Sequence, residues 1–309
     1  MSHDGRRMDL SIVVVNWKSL SFTTAALSSI VARTVGIEYE IIVVDNGSRD
    51  GSVEVLEQRF PRMALIANPD NRGFSRANNQ GMGVACGRYV VLLNSDTVQI
   101  SNALGEAVRY MDGHPDVGAL GIRHLNADEA RSVQPSCFAF PQAWHAILDV
   151  LGVRLAAAER NAVLTERDVD WVCGSFLFVR RECLEAVGLL DERFFVYDED
   201  IDWCRRAWNL GWKIRFWPGP AMIHLGAATR PHMRDKTFVH FRSRLSYIAK
   251  HHSRFAGLVY YLAMSARLAC ATVGQVGRFV TGRASGPELS VRWRRQMQFL
   301  LLSPGSRGC

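Results

Sequence analysis

Apolar residues in the first hundred positions come in short β-branched bursts. Leu10–Asn16 (LSIVVVN) and Tyr39–Asp45 (YEIIVVD) leave no room for polar alternation, as expected of strands buried on both faces. A helical pattern over about 19–32 separates them. A second helix is expected over 51–59, a short strand over 63–67, and a helix leading out of the loop NPDNRGFSRANNQG through Ala85. A fourth strand covers 88–93. Strands and helices alternating at this spacing predict an α/β fold, with a mostly parallel sheet flanked by helices. Ligands bind such sheets at the carboxyl ends of the strands. Here those ends carry Asn16, Asp45 and Asn94-Ser95-Asp96.

The second half is less regular. Strands are expected at 117–122 and 171–180, the latter containing Gly174, with an irregular or hairpin segment at 133–140. A helix follows from Arg181, and another emerges from DERFFVYDEDIDWCRRAWNLG and stops at Gly211. A strand at 213–217, a Pro-Gly-Pro turn and the segment holding His224 come next, and from about Thr237 the pattern is helical.

Charge changes the picture only at the end. Up to Thr229 there are 23 Lys and Arg against 28 Asp and Glu, whereas from Arg230 onward there are 14 against 2. A segment this basic suits nucleic acid, an anionic membrane or an acidic protein face. No nucleic-acid-binding module accompanies it, so nucleic acid is not expected as a partner. Residues 255–280 are largely apolar, but Arg267 interrupts them near the middle. An amphipathic helix at a membrane interface is expected there rather than a spanning one, with packing on protein as the alternative. The seven cysteines form no CxxC pair and read as small buried apolar residues in a reducing compartment. The apolar run at 10–15 is too short for a secretory signal, and a cytoplasmic protein is expected.

No G-x-G-x-x-G follows the first strand and no G-x-x-x-x-G-K-[ST] occurs, so phosphate recognition needs another device. A carboxylate-held Mg²⁺ or Mn²⁺ is one. Asp96, at a strand end, reads either as a ligand for such an ion or as a helix N-cap. Tyr197-Asp198-Glu199-Asp200-Ile201-Asp202 packs four acids into five positions. One or two of them could stabilise a helix N-terminus; four suggest a general base. His224 reads as structural, or as a metal ligand if Asp96 lies beside it.

Taken in order, SIVVVNW, VVDNGSRDGS, NRGFSRANNQG, LLNSDT, GLLDERFFVYDEDIDWCRR and IHLGAAT resemble the family 2 glycosyltransferases of GT-A fold, specifically their rhamnosyltransferase-like branch. The resemblance spans about 10–229. It implies a catalytic domain over 1–230, with a nucleotide-binding half to about 100 and an acceptor-binding half after it, and a basic helical extension over 231–309. It implies that Asp45 reads a pyrimidine base and that the main chain to Asn16 lines the nucleoside pocket. Asn71, Gly73 and Asn78 would flank the donor, with Asn94, Trp171, Gly174 and Glu199 also binding substrate. Asp96 would be the last residue of a DXD-type metal motif, here Asn94-Ser95-Asp96, and His224 would complete the metal site. Asp200 would be the catalytic base. Ser95 stands where a Pro is frequent in the family, and Ala127 where a Gly is expected. The implied reaction is inverting transfer from a nucleotide sugar, dTDP-rhamnose or a UDP-sugar, to a saccharide or lipid-linked acceptor at the inner face of the plasma membrane. A non-catalytic nucleotide-binding scaffold and a nucleotidyltransferase are the competing readings.

Overall fold

The apolar bursts form the strands at the centre of the sheet. A computed structural model describes residues 8–150, 165–226 and 236–281. In chain order the first elements are β1 (Leu10–Asn16), α1 (Leu20–Arg33), β2 (Tyr39–Asp45), α2 (Ser52–Arg59), β3 (Ala64–Ala67), α3 (Phe74–Val84) and β4 (Tyr89–Asn94). Then come β5 (Thr97–Gln99), α4 (Ala103–Asp112), β6 (Val117–Leu125), β7 (Val133–Gln134), β8 (Cys137–Phe138) and α5 (Ala143–Val150). The remainder are β9 (Arg167–Asp168), β10 (Trp171–Val172), β11 (Phe176–Arg180), α6 (Arg181–Val187), α7 (Glu199–Asn209), β12 (Lys213–His224), α8 (Lys236–His251) and α9 (Arg254–Val280).

The main sheet runs β3-β2-β1-β4-β11-β6-β12-β5, with β7 on β6 and β9 on β12. Strands β3, β2, β1 and β4 are parallel, so Asn16 and Asp45 end in register with each other. All seven positions of β1 are buried. Leu27 and Ile30 of α1 and Leu104, Val108 and Met111 of α4 belong to one core cluster with Ile12, Val14, Val91 and Leu93. Phe74 and Ala77 of α3 pack with Val15 and Val44 in another. Helix α3 lies so close to β1 that a Cβ on Gly81 would stand 2.4 Å from a Val13 methyl.

The structure departs from the sequence-based expectation in the second half. Strand β11 runs antiparallel to both β4 and β6, while β12 is parallel to β6, so this half of the sheet is mixed. The expected strand at 171–180 is two strands, because the chain turns at Gly174 and passes from the small β8–β10 sheet into the main one. The strand expected to end at Trp217 continues to His224. Its Pro-Gly-Pro sits in a break of register between Trp217 and Ala221, where a missing N–H costs no ladder bond. The three-residue β5 gives no periodic signal and was not anticipated. Among the described residues Cys137, Cys183 and Cys204 are buried as expected and Cys173 partly so, but Cys86 and Cys270 are exposed.

The chain divides into two compact units. Within the described residues one comprises 8–140, 165–195 and 199–226, and the other 141–150, 196–198 and 236–281. In the second, α9 packs against α5 and α8.

A charged tie closes the amino-terminal edge of the first unit. Arg88 bonds Asp9 at 2.8 Å and grips both carboxylate oxygens of Asp112, which also accepts the Tyr89 hydroxyl at 2.8 Å. The Arg88 guanidinium, then the Tyr89 bond, hold the Asp112 carboxyl below its ordinary value of 3.8. A depressed pKa stabilises the fold fully above 3.8, and that contribution is lost as pH falls through the folded-state value. Asp112→Asn should therefore lower the urea midpoint at neutral pH. The gap from wild type should close as the buffer is taken below that value; a gap that persists in acid would contradict the role.

Candidate functional site

The strand ends are organised by one buried amide. Asn16 is 0% exposed and bonded on all sides. Its Nδ2 donates to Asp45 Oδ2 at 2.6 Å and Ser48 Oγ at 3.2 Å. Its Oδ1 accepts from Ser19 Oγ at 3.0 Å and Thr23 Oγ1 at 2.6 Å. The Ser48 N–H donates to Asp45 Oδ1 at 3.0 Å, and the Lys18 N–H to Ser48 Oγ at 2.9 Å. Ser19 lies 3.2 Å from Ser95 Oγ, so the bonds run from Asp45 through Asn16 to the residue beside Asp96. Ser95, the departure from the family pattern, thus joins this network through its hydroxyl.

A second amide, Asn46, shapes the loop after β3. It donates to Asn71 Oδ1 at 2.9 Å and to the Gly73 carbonyl at 3.1 Å, and accepts from the Arg72 N–H and Asn68 Nδ2. Gly73 has φ +88°, and a Cβ there would meet the Phe195 carbonyl at 2.7 Å. The Phe74 N–H donates to that carbonyl at 2.6 Å. Above these groups lies a cleft of about 610 Å³ lined by Trp17, Lys18, Ser48, Arg49, Asp70 and Asn71 among others. Arg49 is braced by two bonds to the Pro69 carbonyl.

Antiparallel pairing of β5 with β12 sets Thr97 opposite His224, and the Leu225 N–H donates to the Asp96 carbonyl at 2.9 Å. This brings His224 Nε2 to 3.4 Å from Asp96 Oδ1. His224 Nδ1 lies 2.7 Å from Gln134 Oε1, and the Gln134 amide is oriented by its own bond to Asn126 Oδ1 at 3.2 Å. With Oε1 as acceptor, Nδ1 donates to Gln134 and Nε2 faces the Asp96 carboxylate. An oxygen and a nitrogen donor converge there, a set that fits a divalent cation. No group of three or more His, Cys, Asp or Glu suited to a metal occurs among the described residues. A cation here would therefore draw its remaining ligands from substrate and water, as Mg²⁺ commonly does. His124 stands beside this pair, 5.7 Å between ring centroids, with Nδ1 3.3 Å from Ser175 Oγ. Burial, and then His224, push its pKa down to about 3, so it stays neutral at ordinary pH.

The four crowded acids have separate partners. Arg244 grips Asp198 at 2.7 and 3.1 Å. Asp202 is fully buried and receives Arg206 at 3.0 Å, which also caps the Val187 and Leu189 carbonyls. Glu199 is buried in the first turn of α7. Asp200 remains partly exposed and accepts the Gly174 N–H at 2.7 Å and the Ile201 N–H at 2.9 Å. A Cβ on Gly174 would lie 3.2 Å from that carboxylate and crowd it by a few tenths of an ångström. The Ser175 carbonyl next door accepts the Asn94 N–H at 3.2 Å, joining the Asp200 anchor to the strand carrying the Asp96 motif. Tyr197 and Asp198 both take left-handed φ, 71° and 65°, a strained entry to α7 of the kind that collects at functional sites.

The model of the glycosyltransferase-like family 2 matches residues 7–254, most of the chain. The chain belongs to this family. It is 29% identical over 249 residues to the N-acetylglucosaminyl-diphospho-decaprenol L-rhamnosyltransferase of Mycobacterium tuberculosis, covering 74% of this chain and 79% of that protein. It is 28% identical over 165 residues to the rhamnosyltransferase WbbL of Escherichia coli K12, covering 52% of this chain and 62% of the relative. Among solved structures, the mannosyltransferase PcManGT from Pyrobaculum calidifontis in complex with GDP-Man and Mn²⁺ superposes with TM-score 0.56 at 17% identity, over 96% of this chain and 88% of that one. That likeness establishes the GT-A fold.

In this glycosyltransferase the residues singled out by sequence take different places. Asn71 lines the cleft, while Asp45, 2% exposed, lies behind Ser48 rather than on the wall. Asp96 meets His224, and Gly174 meets Asp200. Asn78 is buried and donates to the Phe74 carbonyl of its own helix at 2.9 Å. Trp171 stacks on Phe138 at 4.6 Å and donates to the Ala139 carbonyl. Sequence reading missed Asn46, hidden in a cluster of turn formers, and Gln134 and His124, whose neighbours are distant along the chain. It also missed Trp17, Lys18 and Arg49, which the strand-end rule would have flagged. Replacing Asn16 by Leu takes one bond from the buried carboxylate of Asp45 and one from each of three hydroxyls, and should cost about 3 kcal/mol or more. Denaturant unfolding of Asn16→Leu checks this; a loss below about 1 kcal/mol would contradict the hub role.

Proposed function

We propose that this enzyme transfers a hexose, with rhamnose favoured, from a dTDP- or UDP-activated donor to a saccharide or lipid-linked saccharide acceptor. Transfer is a single inverting displacement, serving cell-surface glycan synthesis. The observation that carries this reading is the meeting of Asp96 with His224 just after β4, and of Asp200 with Gly174 just before β11, the strand paired with β4. The rhamnosyltransferase names of the two relatives favour the sugar, and the diphospho-decaprenol acceptor in the name of one of them favours a lipid carrier.

In this reading residues 1–230 are catalytic. The cleft beside Asn71 takes the nucleoside, with Asp45 and the main chain at Asn16 forming its base and Gly73 leaving room for the donor. Asp96 and His224 would hold a Mg²⁺ or Mn²⁺ ion, which supplies positive charge against the departing diphosphate. The acceptor hydroxyl oxygen attacks the anomeric carbon opposite the leaving oxygen. As the new C–O bond forms, Asp200 takes the hydroxyl proton and the bond to the diphosphate breaks, releasing a nucleoside diphosphate and inverting the centre. The Gly174 and Ile201 N–H groups hold the Asp200 carboxylate in one orientation for that transfer. Trp171 and Glu199 border the acceptor side. The enzyme works at the inner face of the membrane that carries the acceptor, with the extension over 231–309 as its peripheral contact.

Two variants test the assignment. Asp200→Asn should lower the transfer rate by roughly 10²–10⁴-fold while leaving the Kd for dTDP or UDP unchanged. A full transfer rate in that variant would remove Asp200 as base. Asp96→Ala should lose the stimulation of transfer by Mn²⁺, read as nucleoside diphosphate released; release of pyrophosphate by wild type would point instead to nucleotidyl transfer.

A further inference from the structure

Helix α9 carries two apolar faces, and only one is covered among the described residues. Tyr260, Tyr261, Met264 and Leu268 pack around Phe241 and Leu245 of α8. On another side stand Phe255 at 74% exposure, Leu258 at 41%, Leu262 at 56%, Val273 at 72% and Val276 at 40%. Ala266 and Ala269, also exposed, fill the gap between them. Steps of three and four residues put all seven on one line of the helix, about 32 Å long at the rise of an α-helix. The family match ends at 254, where α9 begins, so this line lies outside the shared catalytic domain.

We infer that this outward line of α9 is a docking surface for an anionic lipid bilayer, in which the helix lies flat at the boundary between headgroups and acyl chains. Charge selects this occupant. Between 236 and 281 the sequence holds seven Lys and Arg and no Asp or Glu, and Arg254 and Arg267 are exposed on α9 itself. An apolar stripe on an acid-free basic helix matches a surface of anionic headgroups over hydrocarbon. A second copy of the chain would bring two such helices together within a Debye length, where like charges repel. Insertion across the bilayer does not fit, since no helix among the described residues is long and apolar enough to cross it. The inference rests on the proposed lipid-linked acceptor for its purpose, but not for its geometry.

The test is co-sedimentation of the full-length protein with vesicles of phosphatidylglycerol and phosphatidylcholine, or of phosphatidylcholine alone. Wild type should pellet with the anionic vesicles, be released by salt, and bind neutral vesicles weakly. Leu262→Asp combined with Val273→Asp should weaken anionic binding by about tenfold or more. Both side chains are exposed, so the thermal midpoint and transfer to a short soluble acceptor should match wild type. Equal pelleting of the variant, or no pelleting of wild type, overturns the inference. A wild-type dimer that the variant makes monomeric, seen by light scattering, assigns the line to a second copy instead. If neither protein transfers sugar while vesicle binding behaves as described, the proposed function falls and the docking surface stands.

Discussion

The site depends on a buried amide that has no spare bonding capacity. Asn16 ends β1 where β2, the start of α1 and the loop after β2 converge, with one bond to β2, one to the loop and two to the start of α1. A polar group this deep is tolerable only when fully partnered, so its four bonds fix the four segments against one another. Asp45, with its carboxylate taken up by Asn16 and Ser48, becomes part of a rigid floor. Through Ser19 and Ser95 the same network reaches the turn before β5, and so the strand that carries Asp96 to His224.

The proposed catalytic elements follow the same logic of main-chain restraint. Asp96 is held by strand pairing on its carboxyl side, and its imidazole partner is turned by Gln134. Asp200 accepts two amide N–H groups, from Gly174 and Ile201. Its neighbours Asp198 and Asp202 are each bound by an arginine, which relieves the like-charge crowding suggested by the sequence. Asp200 alone of the four is partly exposed.

Local order was legible where burial writes it into composition. LSIVVVN and YEIIVVD mark both strands to the residue, because the β-branched run inside each is buried on both faces. The pairing of Asp96 with His224 was posed only as a condition, since it depends on β5, three residues whose pattern resembles any turn. Strand β12 was cut short at its prolines because their missing N–H groups argue against a ladder, and the break of register that admits them is a tertiary feature. The antiparallel course of β11 was equally hidden: the run FLFVR says that it is buried, not which way it points. Among candidate residues, side-chain chemistry pointed to Asp96 and to the four acids at 198–202, with only the family resemblance singling out Asp200, whereas Asn46 and Gln134 act by orienting others and have no signature of their own.

The most direct test of the central claim, a pyrimidine-nucleotide site completed by a metal at Asp96 and His224, is the thermal stability of the purified protein with nucleotides. dTDP, UDP, GDP and NAD would each be added with and without Mn²⁺. The account predicts a metal-dependent rise with dTDP or UDP alone, equivalent to about 2.7 kcal/mol at a hundredfold excess over Kd. A folded protein that shifts with neither pyrimidine diphosphate, or equally well without metal, would contradict it.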